Sequence, residues 1–267
     1  MAITTSGQIS INDIMTELDI TGETALNDED VRGLITKGAG TEMSISEWYG
    51  ASAVSAATYV GSTSADGVST LNASGISGLA TGDTIIFIGG EDDQWFEMDN
   101  DSDWNTMFFY NWPEAWGESG IIHMLAYREA TSGTNEANIV AAETTTPLVI
   151  DAAGMVAFRN LGTPASEPQY LRALGTQGTN TTTQVYPSMT VTEAGSTGIL
   201  FSWLDDDDGQ ITTVPSGWTK AFEVGRVGHS ICVMYQLNMS VGTTGEMTTV
   251  WNSRDRTMGW GYIIPPA

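Results

Sequence analysis

Apolar residues in the first fifty positions fall singly between polar and acidic ones, and three segments repeat one arrangement. Ile9-Ser10-Ile11 leads into Asn12-Asp13-Ile14, Ala25-Leu26-Asn27 into Asp28-Glu29-Asp30-Val31, and Met43-Ser44-Ile45 into Ser46-Glu47-Trp48-Tyr49-Gly50. Each places an apolar residue before a Ser or Asn, then acids, then an apolar residue that can fold back. A Ser or Asn side chain accepts from the orphan amides of a first helical turn, early acids suit the helix dipole, and the flanking apolar pair staples the turn. The pattern predicts a helical head over residues 1–52. Helices this short do not persist alone, because nucleation costs more than one or two turns return. Ile11, Ile14, Leu18, Val31, Leu34, Trp48 and Tyr49 are its candidate docking residues.

Beyond a small, uncharged stretch at 50–57 the period changes. Short apolar or alternating runs are separated by Gly, Asn and Thr clusters, which predicts strands at 57–60, 84–88, 107–110, 121–127, 137–140, 148–150 and 155–158. A second set follows at 171–174, 184–187, 189–191, 198–204, 220–224, 230–237, 247–251 and 260–264. Alternation disappears in the most apolar runs, as expected of strands covered on both faces.

The two sets read as copies of one unit. Phe87 in an apolar run before Glu91-Asp92-Asp93 matches Phe201 before Asp205-Asp206-Asp207, and Pro113 in Trp112–Trp116 matches Pro215 in Val214–Trp218. Tyr127 ends one apolar run and Tyr235 another, each followed by a Gly-Thr pair, and Phe158 matches Tyr262. The four matches keep their order while their separation drifts between 102 and 114 residues, the trace that duplication with loop insertions leaves. The expected fold is mainly β. A small helical head precedes two tandem jelly-roll-like sandwich units, at 53–165 and 166–267, with either separate cores or one shared core.

Composition narrows the function. A chain of 267 residues with 41% hydrophobic residues and nine Trp can bury ordinary cores. Thirty-three acids against nine bases give a formal charge of −24, which argues against a phosphate backbone as ligand. The acidity suits solubility, or else bound divalent cations or a basic partner surface. The single Cys232 excludes an intrachain disulfide and sits in an apolar run as a small hydrophobe. The opening residues carry no basic-then-apolar signal pattern and no run reaches the length of a membrane span, so membrane insertion is not expected.

Candidate chemistry is sparse. Asp99, Asp101 and Asp103 alternate like the start of a calcium loop, but Trp104 stands where the EF-hand needs Gly and Tyr110 where it needs Glu. Asp205, Asp206 and Asp207 form a second acidic loop that a calcium ion or a neighbouring Arg would relieve; otherwise both are solvated turns, and no cofactor is required. Trp95, Trp104, Trp112 and Trp116 could stack sugar rings, fill a core corner or line a subunit interface. His123 and His229 recur with the repeat, which favours structural roles. Nucleophile elbow, HExxH, P-loop and paired-Cys motifs are all missing, so an enzyme is not expected.

Gly7-Gln8-Ile9-Ser10-Ile11-Asn12-Asp13-Ile14, together with the Trp48-Tyr49-Gly50 stop, resembles a segment that opens tail and other virion proteins of tailed phages. The Pro215-Ser216-Gly217-Trp218 turn, the strand ending in Tyr235 and the strand carrying Trp251 resemble a sandwich unit of phage tail and fibre proteins. These resemblances imply a virion protein made in the host cytoplasm, a tail fibre, spike or adhesin component. Its partners would be other virion proteins, its own copies (homotrimers being usual in such fibres) and a host surface glycan. A capsid decoration or head-fibre protein is the nearest alternative. A carbohydrate-binding module or glycan depolymerase is an alternative of another class, and a host surface-layer or secreted calcium protein is a third.

Overall fold

Strands dominate the chain because its apolar runs are short, rich in Ile, Val, Phe and Thr, and punctuated by Gly. The computed structural model describes residues 14, 32, 35, 56–92, 96–99, 103–111, 121–141, 146–165, 168–174, 181–205, 209–226 and 229–267. The first set of strands is β1 (Thr58–Val68), β2 (Thr70–Asn72), β3 (Thr84–Asp92), β4 (Phe96–Met98), β5 (Asn105–Asn111), β6 (Ile121–Glu129), β7 (Glu136–Ala141) and β8 (Ile150–Arg159). The second is β9 (Tyr170–Leu174), β10 (Thr181–Tyr186), β11 (Thr190–Val191), β12 (Ser196–Leu204), β13 (Ile211–Thr213), β14 (Thr219–Arg226), β15 (His229–Met239), β16 (Gly242–Thr243), β17 (Met247–Asp255) and β18 (Thr257–Ile264).

Pairing among these strands is antiparallel, and it repeats. The first set forms a five-stranded sheet in the order β1-β8-β3-β6-β5 and a three-stranded sheet β2-β7-β4. The second forms β9-β18-β12-β15-β14 and β10-β17-β13. Reading β9 for β1, β10 for β2, β12 for β3, β13 for β4, β14 for β5, β15 for β6, β17 for β7 and β18 for β8, the two orders are identical. The second unit adds one ribbon, β11-β16.

Register decides which of the sequence matches hold. Tyr127 lies opposite Ile86, which lies opposite Val156; Tyr235 lies opposite Ile199, which lies opposite Tyr262. The two tyrosines therefore occupy one place in the fold. Phe87 and Phe201 do not, because Phe87 packs inside the first unit whereas Phe201 packs between the units. A strand's side chains alternate in direction, so a slip of one residue sends a side chain to the other face. Matching Ile86 with Ile199 removes the slip.

Three cores result. In the first unit Ile85, Phe87 and Met155 of the large sheet meet Phe96, Met98 and Ile139 of the small one. In the second, Leu200, Cys232 and Met234 meet Tyr186, Met247 and Trp251. The opposite faces of the two large sheets pack against each other, with Ile86, Ile88, Val156 and Phe158 from the first and Phe201, Trp203, Trp260 and Tyr262 from the second. The stack is small sheet, large sheet, large sheet, small sheet. β3 and β12 are thus covered on both faces, which explains their unbroken apolar runs.

The central seam is tightly interdigitated. β1 packs beside β14, and β8 lies over β14 and β15. A Cβ at Gly154 of β8 would run into the Phe222 ring of β14, so this position has no room for any side chain. Tyr59 and Tyr235 stack across the seam with ring centroids 4.5 Å apart, and the Ser62 hydroxyl donates to the Ala221 carbonyl at 2.8 Å. His229, fully buried, lies 3.7 Å from the Asp151 carboxylate across the seam, and the Asp151 amide donates to Glu91 at 3.2 Å. Within the first unit, buried Asp83 takes a two-pronged contact from Arg159, at 2.9 and 3.0 Å.

Candidate functional site

One concave feature of the described residues lies where the two units differ. In the first unit the loop between β6 and β7 closes on itself around buried Asn135. Its amide oxygen accepts from the Thr131 backbone at 3.0 Å, and its amide nitrogen donates to the Thr131 and Gly133 carbonyls. The short 3-10 turn Ala73–Gly75 lies against that loop, with the Ala73 amide donating to the Asn135 carbonyl at 3.1 Å. In the second unit the same two connections are drawn out into β11 and β16, paired through Thr190–Thr243 and Val191–Gly242. One end of the unit opens as a result.

The opening is a cleft of about 820 Å³. Its base carries Val191, Trp218, Met239 and Met247, all at least nine-tenths buried. Its walls carry the hydroxyl residues Thr213, Ser216, Ser240, Thr243, Thr244 and Thr248. Gln236 and Asn238 add amides, Glu246 is the sole charged residue of the lining, and exposed Val241 stands at the rim.

Local sequence holds these walls in place. Pro215-Ser216-Gly217-Trp218 makes a turn in which the Trp218 amide donates to the Pro215 carbonyl at 3.1 Å. Gly217 has φ +82°, a left-handed conformation that side chains resist, so the turn uses its glycine. Thr244 is tied on both sides: its hydroxyl accepts from the Met189 amide at 3.0 Å and donates to the Gly245 carbonyl at 2.9 Å. Its own amide donates to the Met189 carbonyl at 3.0 Å. The ribbon is therefore anchored where it meets the cleft.

Of the candidate site residues named in the sequence, Trp104, Asp99, Asp103 and Asp205 do not line this cleft. Trp104 belongs to the first unit's core, 5% exposed; its indole donates to the Glu136 carbonyl at 3.0 Å, Phe87 meets it edge-on and the Arg128 guanidinium sits 5.5 Å from its ring centre. Such a ring offers no open face for a sugar. Trp95, Trp112 and Trp116 lie outside the described residues. Asp103 is exposed and 3.6 Å from Arg128, Asp99 is near by in sequence, and Asp101 lies outside the described residues. Asp205 is engaged by Arg256 through both side chain and backbone, so an arginine relieves that acid; Asp206 and Asp207 lie outside the described residues. Among the described residues no three His, Cys, Asp or Glu side chains group as a metal site.

Of the head, Ile14 adopts helical backbone and is buried to 2%, so the chain itself already covers it. Ile11, Leu18, Val31, Leu34, Trp48 and Tyr49 lie outside the described residues. No helix among the described residues is long and apolar enough to cross a membrane. Burial pushes the Cys232 thiol well above its ordinary range, and burial followed by Tyr59 raises Tyr235; both belong to cores.

The cleft residues escaped the sequence reading because Gly242-Thr243 passed for a turn matching Gly133-Thr134. The available signal was the Thr, Ser and Gly run from 240 to 245 with Asn238 before it, longer than a tight turn needs. Comparison with protein-family models, curated proteins and solved structures found no match.

Proposed function

We propose that this chain is a non-enzymatic structural protein of a tailed-phage virion, a tail fibre, spike or adhesin component that docks through residues 1–52 and projects two jelly-roll-like sandwiches. The observation that carries this reading is the central core. It joins two repeated units through one shared apolar core, as suits a part that bears load and displays a surface rather than one that closes on a substrate. The virion-like opening segment and the formal charge of −24 support it. A basic partner surface on the particle would complement that charge. The Trp104 environment and the Asp205–Arg256 pair favour structural roles for those residues.

Light scattering of the purified chain, full length and starting at Ala53, each with and without EDTA, tests assembly. A stable oligomer that falls to monomer when residues 1–52 are removed is the expected result. Dissociation by EDTA would place calcium at an acidic loop. A monomer in every condition overturns the self-assembling fibre and favours the capsid decoration protein, which assembles only on a preformed shell.

A further inference from the structure

We propose that the cleft of the second unit is a binding site for an uncharged oligosaccharide of about two or three sugar units. The proposal rests on the display role for its biological setting, but the binding itself can be measured without it.

Size comes first. A cleft of about 820 Å³ lies within the usual range of roughly 300–1,000 Å³ for small-ligand sites. Its shape is set by anchored backbone: the Thr244 bonds to Met189, the β11–β16 pairing and the Gly217 turn hold both walls, so little ordering remains to be done on binding.

The chemistry of the lining then selects the ligand. A sugar presents hydroxyls around its edge and patches of C–H on its faces. Five hydroxyl residues and two amides answer the edge, each able to donate and to accept, while the Thr244 hydroxyl is already taken up by Met189 and Gly245. Exposed Val241 at the rim answers the C–H patches, while buried Trp218, Met239 and Met247 close the base beneath. A peptide with charged side chains finds only Glu246 to pair with, and a phosphorylated, sulfated or sialylated ligand finds no cation in the lining and a strongly negative chain around it. Glu246 fits a neutral sugar as an acceptor for two adjacent hydroxyls.

At the counterpart position of the first unit, Asn135 ties the shorter loop together through both its amide oxygen and its amide nitrogen. The ribbon that builds the cleft is the one element the second unit adds to the shared plan. The structural framework of the repeat stands without it, which is what a grafted site looks like.

The test is an array of neutral and of sialylated or sulfated glycans probed with the full-length chain, followed by titration calorimetry with the best-bound glycan. Ser216→Trp fills the cleft from an exposed position, Gln236→Ala removes an amide from its wall, and Val149→Trp, on an exposed residue of the first unit, serves as control. The expected result is binding confined to neutral glycans, weakened at least tenfold by Ser216→Trp and severalfold by Gln236→Ala, and unchanged by Val149→Trp, with all three thermal transitions near that of the parent. Silence of the array, preference for anionic glycans, or binding indifferent to both cleft variants would overturn the proposal. Oligomer mass, measured on the same samples, reports the assembly reading separately.

Discussion

Where the two units meet, the first presents Ala152, Gly154 and Val156 along β8, while the second presents Trp203, Phe222, Trp260 and Tyr262. Their strand orders are the same and their side chains are not. Two copies with identical bulky faces would leave gaps or clash, whereas the small residues of β8 make room for the rings of the second unit beside Ile86, Ile88 and Phe158. Covalent linkage keeps the complementary face at high effective concentration, so pairing inside one chain outcompetes pairing between chains. The other difference lies at the far end, where the first unit is sealed by Asn135 and the second opened by β11 and β16. The two units thus differ in the face that joins them and in the end that carries β11 and β16.

The strongest way to break this comparison is at its tightest point. Gly154→Val should destabilise the protein by about 3 kcal/mol, read by denaturant unfolding, because the Phe222 ring has nowhere to go in a packed seam. Adding Phe222→Ala should recover part of that loss, although Phe222→Ala alone costs about 3 kcal/mol. Additive losses in the double variant would mean that the two residues do not oppose each other.

Trp260→Ala should cost a similar 3–4 kcal/mol, since the indole is fully buried in the core both units share. Calorimetry sharpens this point. The parent should unfold in one transition, and Trp260→Ala should lower that transition without splitting it, while two separated transitions in the parent would show that the seam does not couple the units.

A smaller effect is expected at Trp104→Phe. Loss of the indole bond to the Glu136 carbonyl, with the ring retained, should cost about 1 kcal/mol and leave the seam intact. The smallest concerns pH. Cys232 and Tyr235 both have folded-state pKa values raised by burial, so the folded form holds its protons while the unfolded chain releases them. Stability should be level below the ordinary thiol value of 9.0 and fall as pH rises past it and then past the ordinary tyrosine value of 10.0. Tyr235→Phe should remove the later part of the decline.

Much of the framework was legible in residues. Strands β3, β6, β12 and β15 declared themselves through long apolar runs, since a strand covered on both faces needs them. The short strands β2, β4, β13 and β16 did not, because two or three residues carry no periodicity. Residues 148–150 and 155–158 read as separate strands, yet β8 runs unbroken from Ile150 to Arg159: Ala152, Ala153 and Gly154 look like a loop in sequence, and Gly154 is a glycine because Phe222 needs the space. Of the site, the Pro215–Trp218 turn and the Gly242-Thr243 pair drew notice, and the Trp218 indole was read as a core plug, which its burial supports.

The sequence by itself determined a mainly β chain, the position of its apolar strands, its acidity and the recurrence of one unit, because these depend on side-chain type and local period. Only the tertiary structure decided the register of the repeat, since one residue of slip inverts a strand and leaves composition untouched. It also decided that the two large sheets share a third core and that a Gly-Thr pair is a loop in one unit and a cleft-building strand in the other. Both depend on which distant surfaces meet, and nothing local in a chain encodes its neighbour's shape.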